Sequence, residues 1–201
     1  MLEHRPVEFF RTVRLLRRLT RDIHLDLMDG TLVPGRTVPP ATLVRLPPGG
    51  QYQLHLMVRD PLPWLAVAER IRARSLIIHL EIPRALERIR QARRHGFQTW
   101  VAINPDTPLS RLTRRIAADG IMVMGVAPGA QGQAQTPHLL QRLRALRRRG
   151  LPLGVDGGVR LERLAALAAA GVSTFVVGAG ITLAGDPARA YAAFQRRLRD
   201  A

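Results

Sequence analysis

The sequence predicts an α/β fold of repeated strand–helix units, and three observations predict it. Short apolar runs recur at roughly 25-residue intervals along the whole chain, with amphipathic helical stretches between them. Most of these runs are apolar enough to be buried on both faces, as parallel strands must be. No linker or low-complexity tract interrupts the alternation. Such a repeat folds either as a doubly wound sheet or as a closed (β/α) barrel.

The elements follow in order. A helix is expected over about 6–19, with Pro6 in its first turn, where a missing N–H costs nothing. Strands are expected over 22–27, 52–57, 76–80, 98–103, 120–125, 152–156 and 173–177, and each is followed by a helical stretch. The helix between the first two strands is confined to about 40–45, before Pro47-Pro48-Gly49-Gly50. The leading helix has no strand ahead of it, so a barrel built from these units would be missing its first strand or hold it only as Met1–Arg5. The resulting seam needs cover from a neighbouring subunit, from altered packing of the first helix, or from a segment upstream. The uncharged stretch from Leu164 to Gly185 is long enough to span a bilayer, but it is broken by Gly171, Gly178 and Gly180. It reads as a helix end, a turn and a buried strand.

Two hundred and one residues with 46% hydrophobic content suit a single domain, 1–201, with a substantial core. Cysteine is absent, which excludes disulfides, thiolate zinc and a cysteine nucleophile. All 31 basic residues are arginine, so Schiff-base, pyridoxal-lysine and P-loop chemistry are excluded as well. The net charge of +16 lies on helix exteriors such as Arg14, Arg17, Arg18 and Arg142 to Arg149, with 4% aromatic content. Solvated faces are the reading adopted, and neither nucleic acid nor membrane is expected as a partner. No secretory signal opens the sequence, and a soluble cytoplasmic protein is expected.

Polar residues interrupt the apolar strands towards their C-terminal ends. A period of two puts His24, Asp26 and Met28 on one strand face, and His55 and Met57 on the next. Asp156 ends another strand, directly before Gly157 and Gly158. Any one of them alone reads as a capped or hydrogen-bonded structural residue. Two imidazoles and two carboxylates together suit zinc, iron or manganese. Pro128-Gly129-Ala130-Gln131-Gly132-Gln133, Gly157-Gly158 and Gly178-Ala179-Gly180 follow three successive strands, where backbone N–H groups could meet a phosphate. Met28, Met57 and Met124 read first as packing residues. His79 and Glu81 end a further strand, where His79 reads either as substrate-facing or as structural, and Asn104 either orients a ligand or caps the turn before Pro105.

These segments resemble the ribulose-phosphate 3-epimerases. The matching stretches are His24-Leu-Asp-Leu-Met-Asp-Gly30 with Val33-Pro34, His55-Leu-Met-Val58, Asn104-Pro105, Val123-Met124 with Pro128-Gly129 and Gly132-Gln133, Val155-Asp-Gly-Gly158, and Phe175-Val-Val-Gly178, in the family's order. The resemblance implies a (β/α)8 TIM barrel of the ribulose-phosphate-binding type, incomplete at its first strand. It implies an isomerase of carbohydrate metabolism, an epimerase that interconverts ribulose 5-phosphate and xylulose 5-phosphate in the pentose phosphate pathway. It makes His24, Asp26, His55 and Asp156 ligands of a divalent metal, and Asp26 and Asp156 the acid/base pair. Met28, Met57 and Met124 would line the site, and Gly129, Gly132, Gly157, Gly158, Gly178 and Ala179 would lie in the substrate's phosphate loops. A homo-oligomer is expected.

The chemistry agrees with the residues. Inverting a carbon beside a carbonyl needs a proton removed from one face and another returned to the opposite face, which two carboxylates flanking an enediolate accomplish. The departures are a missing first strand with its substrate-contacting serine, Ala130-Gln131 in place of an aromatic residue and glycine, and Ala179 where serine is common. They leave open a related ketose phosphate such as allulose 6-phosphate. They equally leave open a catalytically divergent barrel that binds sugar phosphates or regulates.

Overall fold

The computed structural model describes residues 3–113, 116–129 and 135–200. Seven strands form one sheet: β1 (Asp22–Met28), β2 (Gln51–Met57), β3 (Ser75–His79), β4 (Gln98–Ile103), β5 (Gly120–Met124), β6 (Leu153–Asp156) and β7 (Val172–Val176). Each pairs in parallel with the next strand in the chain. A doubly wound sheet reverses its strand order at a switch point. This one does not, so the sheet curls as an incomplete barrel whose two edges are β1 and β7.

The helices are α1 (Pro6–Arg17), α2 (Pro40–Leu43), α3 (Leu62–Arg70), α4 (Ala85–Arg94), α5 (Leu139–Arg147), α6 (Leu164–Ala169), α7 (Ala179–Thr182) and α8 (Pro187–Arg199). Their distribution departs from one helix per strand. Among the described residues β4 is followed only by a 3-10 turn, Leu109–Arg111, while β7 is followed by both α7 and α8. Pro105 and Pro108 account for the first departure, since each removes a backbone donor and biases its predecessor away from helix. Among the described residues no helix is long and apolar enough to cross a membrane.

Strand pleating separates two apolar cores. Leu25, Leu27, Leu54, Leu56, Leu76, Ile78, Val101 and Ile103 face outward and pack with helix residues such as Phe9, Val13 and Ile89. Ile77, Trp100, Ala102, Met122 and Met124 fill the barrel interior on the β3–β5 side. Trp100 takes space that two glycines vacate: a Cβ on Gly120 would lie 2.6 Å from its ring and one on Gly154 3.2 Å. The β1, β2 and β6 side of the interior is left for polar groups.

Between the two edge strands the seam opens into a cavity of about 430 Å³, reached by Ile23 and His24 of β1, Thr174 and Val176 of β7, and Tyr191 and Phe194 of α8.

Candidate active site

Strand register builds the site. β1 and β2 pair so that Asp26 stands opposite His55 and His24 opposite Gln53, all directed to the barrel interior, while β6 brings Asp156 beside Met124. His55 Nδ1 lies 3.0 Å from Asp26 Oδ1, 3.1 Å from Asp156 Oδ2 and 3.2 Å from His24 Nε2. His24 Nε2 lies 3.3 Å from Asp26 Oδ1 and 3.6 Å from Asp156 Oδ2. One nitrogen or oxygen from each residue falls within 4.8 Å of the other three. His55 is fully buried, and the other side chains are 10 to 13% exposed.

Burial disfavours every charge here, and the charges sustain one another. Desolvation pulls the His24 pKa down, but hydrogen bonds with Asp156 and Asp26 outweigh it and raise the value to about 9. His55 is raised for the same reason. Burial and the Asp26 charge push Asp156 up, but the two imidazoles bring it down to about 2, and Asp26 also lies well below the usual carboxylate range despite its burial.

The donor set fits a divalent ion. Two imidazole nitrogens and two carboxylate oxygens suit zinc, iron or manganese. Ligands about 2.1 Å from a tetrahedral ion stand about 3.4 Å apart. The five separations that involve an imidazole nitrogen, 3.0 to 3.6 Å, bracket that edge.

Behind the cluster each imidazole has an outer partner. His24 Nδ1 meets Gln53 Oε1 at 2.8 Å, and Gln53 Nε2 donates to Ser75 Oγ at 3.0 Å. His55 Nε2 meets His79 Nε2 at 2.9 Å, with the rings nearly parallel and their centroids 5.0 Å apart. His79 Nδ1 faces Glu81 Oε2 at 3.2 Å. Glu81 Oε1 accepts from the Asn104 backbone N–H at 2.9 Å and from the Thr107 hydroxyl. Although burial opposes it, this set of donors lowers the Glu81 pKa to about 2, while burial pulls His79 down.

A cavity of about 520 Å³ opens over the cluster, with Asp26, Asp156, Met57 and Met124 in its wall. Gly129, Gly157, Gly158, Gly178 and Ala179 also line it, together with Arg160 and Glu162. Gly132 lies outside the described residues. Met28 is not part of this wall; it is buried against Val33 and Met57. Gly157 has φ +96°, and a Cβ there would meet Val126 Cγ2 at 2.5 Å and the Val126 backbone N at 3.2 Å, so the loops after β5 and β6 approach too closely for a side chain. The Gly125 N–H donates to the Asp156 carbonyl at 2.6 Å and ties the two loops together.

The structure thus gathers the four expected ligands at one centre and five of the six expected glycine-rim residues on one cavity wall. Gln53, Ser75 and Arg160 were not expected. Gln53 carried a signal, since it precedes His55 by two and shares its strand face.

A sequence profile described as the ribulose-phosphate 3 epimerase family matches residues 7–182. The chain is 34% identical over 197 residues to ribulose-phosphate 3-epimerase 1 of Cupriavidus necator, covering 89% of this chain and 80% of that one. It is 35% identical over 173 residues to the Escherichia coli ribulose-phosphate 3-epimerase, covering 79% and 76%. The cytoplasmic isoform of rice is 28% identical over 92% of this chain and 86% of its own. Among solved structures, the 3-hexulose-6-phosphate synthase of Salmonella typhimurium superposes with a TM-score of 0.78 over 100% of this chain and 96% of its own, at 17% identity. KGPDC from Streptococcus mutans, in complex with D-R5P, superposes with a TM-score of 0.73 over 95% and 91%, at 16% identity. At such identities the structural likeness speaks for the fold.

Proposed function

The chain belongs to the ribulose-phosphate 3-epimerase family, and from that premise we propose that it is a metal-dependent epimerase inverting the third carbon of a ketose phosphate, ribulose 5-phosphate to xylulose 5-phosphate. One observation carries the reading: two imidazoles and two carboxylates, drawn from β1, β2 and β6, converge within 4.8 Å, and the two carboxylates line a cavity that is also lined by glycines.

His24, Asp26, His55 and Asp156 would hold the ion, which polarises a carbonyl and favours a developing oxyanion. Asp26 and Asp156 reach the cavity from well-separated strands. One carboxylate takes the proton from the third carbon, the electron pair enters the enediolate, and the other carboxylate returns a proton to the opposite face. In each direction one carboxylate starts ionised and the other protonated, so the reverse reaction exchanges their roles. Gly129, Gly157, Gly158, Gly178 and Ala179 would meet the phosphate with backbone groups and orient the remote reacting carbon. Met57 and Met124 supply apolar wall that limits water around the intermediate.

The reading places the protein in the cytoplasm. Among the described residues β1 and β7 are the end strands of the sheet, and a homo-oligomer is the expected state. The same open seam favours a second reading, a sugar-phosphate-binding barrel without turnover. Ribulose 5-phosphate in deuterated water, with zinc, manganese or ferrous iron restored, separates the two: label entering the third carbon by NMR supports the epimerase, whereas binding without exchange supports the second.

A further inference from the structure

His79 is fully buried and forms no part of the cavity wall, yet its ring lies nearly parallel to that of a proposed metal ligand and meets it nitrogen to nitrogen. Its neighbours allow one arrangement of protons. For His55 to present Nδ1 to an ion, that nitrogen must carry a lone pair, so the neutral ring keeps its proton on Nε2. His55 Nε2 and His79 Nε2 are 2.9 Å apart, a distance that suits one shared proton. Two protons there repel, and none leaves two lone pairs opposed. If His55 donates, His79 accepts at Nε2 and carries its own proton on Nδ1, facing Glu81 Oε2 at 3.2 Å.

Glu81 sets the direction. Its Oε1 accepts from the Asn104 N–H and the Thr107 hydroxyl, so it is held as a carboxylate that can only accept. The opposite direction would turn the bare Nδ1 of His79 against that anion. Arg142 braces the loop from behind, donating to the carbonyls of Asn104 at 3.2 Å and Thr107 at 2.7 Å.

We propose that Glu81, acting through His79, fixes the tautomer of His55 so that its Nδ1 lone pair faces the metal position. Glu81 and His79 are then positioning residues two and one steps behind a ligand, an extended form of the carboxylate–histidine–metal arrangement. This rests on reading the four-residue cluster as a metal centre.

The Glu81→Gln substitution tests it because the shape is kept and the direction is not. The glutamine carbonyl must still satisfy Asn104 N–H and Thr107, which turns its NH₂ towards His79 Nδ1. His79 then carries its proton on Nε2, donates to His55, and leaves the His55 proton on Nδ1, where an ion would bind. The probe is zinc, which is diamagnetic. Its affinity is measured by chelator competition, and the tautomers are read from ¹⁵N-histidine spectra.

Zinc-loaded wild type is expected to show Nε2–H on His55 and Nδ1–H on His79. The Glu81→Gln protein is expected to bind zinc about 10- to 100-fold more weakly and, without metal at a pH high enough for His55 to be neutral, to show Nε2–H on His79. Glu81→Asp keeps an accepting carboxylate and is expected to retain the wild-type His79 tautomer. Wild-type affinity and tautomers in Glu81→Gln overturn the relay alone. Nε2–H on His79 in zinc-loaded wild type does so even if the variant fails to fold. A wild type that does not bind zinc overturns the metal-centre reading, and the relay with it.

Discussion

Asp156 Oδ2 lies 3.1 Å from His55 Nδ1, a contact between the last residue of β6 and an inward residue of β2 on the far side of the curled sheet. No local interaction produces it. The two meet because the strands between them turn the sheet through most of a barrel, and the same curvature puts Asp26 and Asp156 in one cavity.

Removing either proposed proton carrier should therefore stop exchange at the third carbon. Asp26→Asn and Asp156→Asn keep the side-chain shape but lose the base, and each should lower the rate of deuterium incorporation from ribulose 5-phosphate by at least ~10²-fold. Near-normal exchange in either variant would remove that carboxylate from the mechanism.

Metal removal should act through the same four residues. A chelator should abolish turnover, and readdition of zinc, manganese or ferrous iron should restore it. His24→Ala and His55→Ala should bind the ion far more weakly, because each deletes one of the four donors within 4.8 Å. Metal content after dialysis, compared with wild type, is the direct check. Undiminished content in either variant excludes that imidazole as a ligand.

Much of this arrangement is legible in the sequence, and the illegible parts have a common cause. The expected and observed β4 ranges coincide at 98–103, where the apolar run Trp100–Ile103 is ended by Asn104-Pro105. A one-residue shift at most other strand ends reflects where pairing partners stop. Barrel and doubly wound sheet remain undecided until the order of strands is known, and order is a tertiary property absent from any single βα unit. Among the described residues no α-helix follows β4, a local break at Pro105 and Pro108 that a repeating βα pattern does not convey. Met28 shares a strand face with Asp26, yet it is buried against Val33 and Met57 beside the cavity, a matter of local packing. The His55–His79–Glu81 chain depends on ring rotation across two neighbouring strands, which side-chain alternation alone does not set.

Arg160 stands at the glycine-rich wall directly after Val159, and it brings a positive charge to a rim that also holds Glu162. If the substrate's phosphate lies there, Arg160→Ala should raise KM several-fold with little change in kcat, because the lost attraction acts on bound substrate and transition state alike. Steady-state kinetics at two salt concentrations should show the wild type losing more affinity than the variant as salt rises. Equal KM values would place the phosphate elsewhere.

The barrel interior offers a stability test that leaves the site alone. A Cβ on Gly120 would lie 2.6 Å from the Trp100 ring, which is itself wedged among Ile77, Ala102 and Met122. Gly120→Ala should cost about 1–3 kcal/mol, as overpacking does when the neighbour cannot retreat. Urea unfolding should show a lower midpoint with an unchanged slope.

Glu81 gives the protein a defined acid sensitivity. Burial raises its pKa, but hydrogen bonds from His79, Asn104 and Thr107 prevail and lower it from 4.5 to about 2. A carboxyl depressed on folding contributes stability above its unfolded pKa and loses that contribution as pH falls through the folded value. The window is therefore about pH 4.5 to 2. Partial solvent access reduces the effect to the order of 1–2 kcal/mol. Other carboxylates titrate in the same range, so the informative quantity is the difference between wild type and Glu81→Gln, both without metal. Wild type should hold its advantage from pH 7 down to about 5 and surrender it progressively below. A difference independent of pH from 6 to 3 would show that the Glu81 charge is not stabilised by its partners in the folded chain.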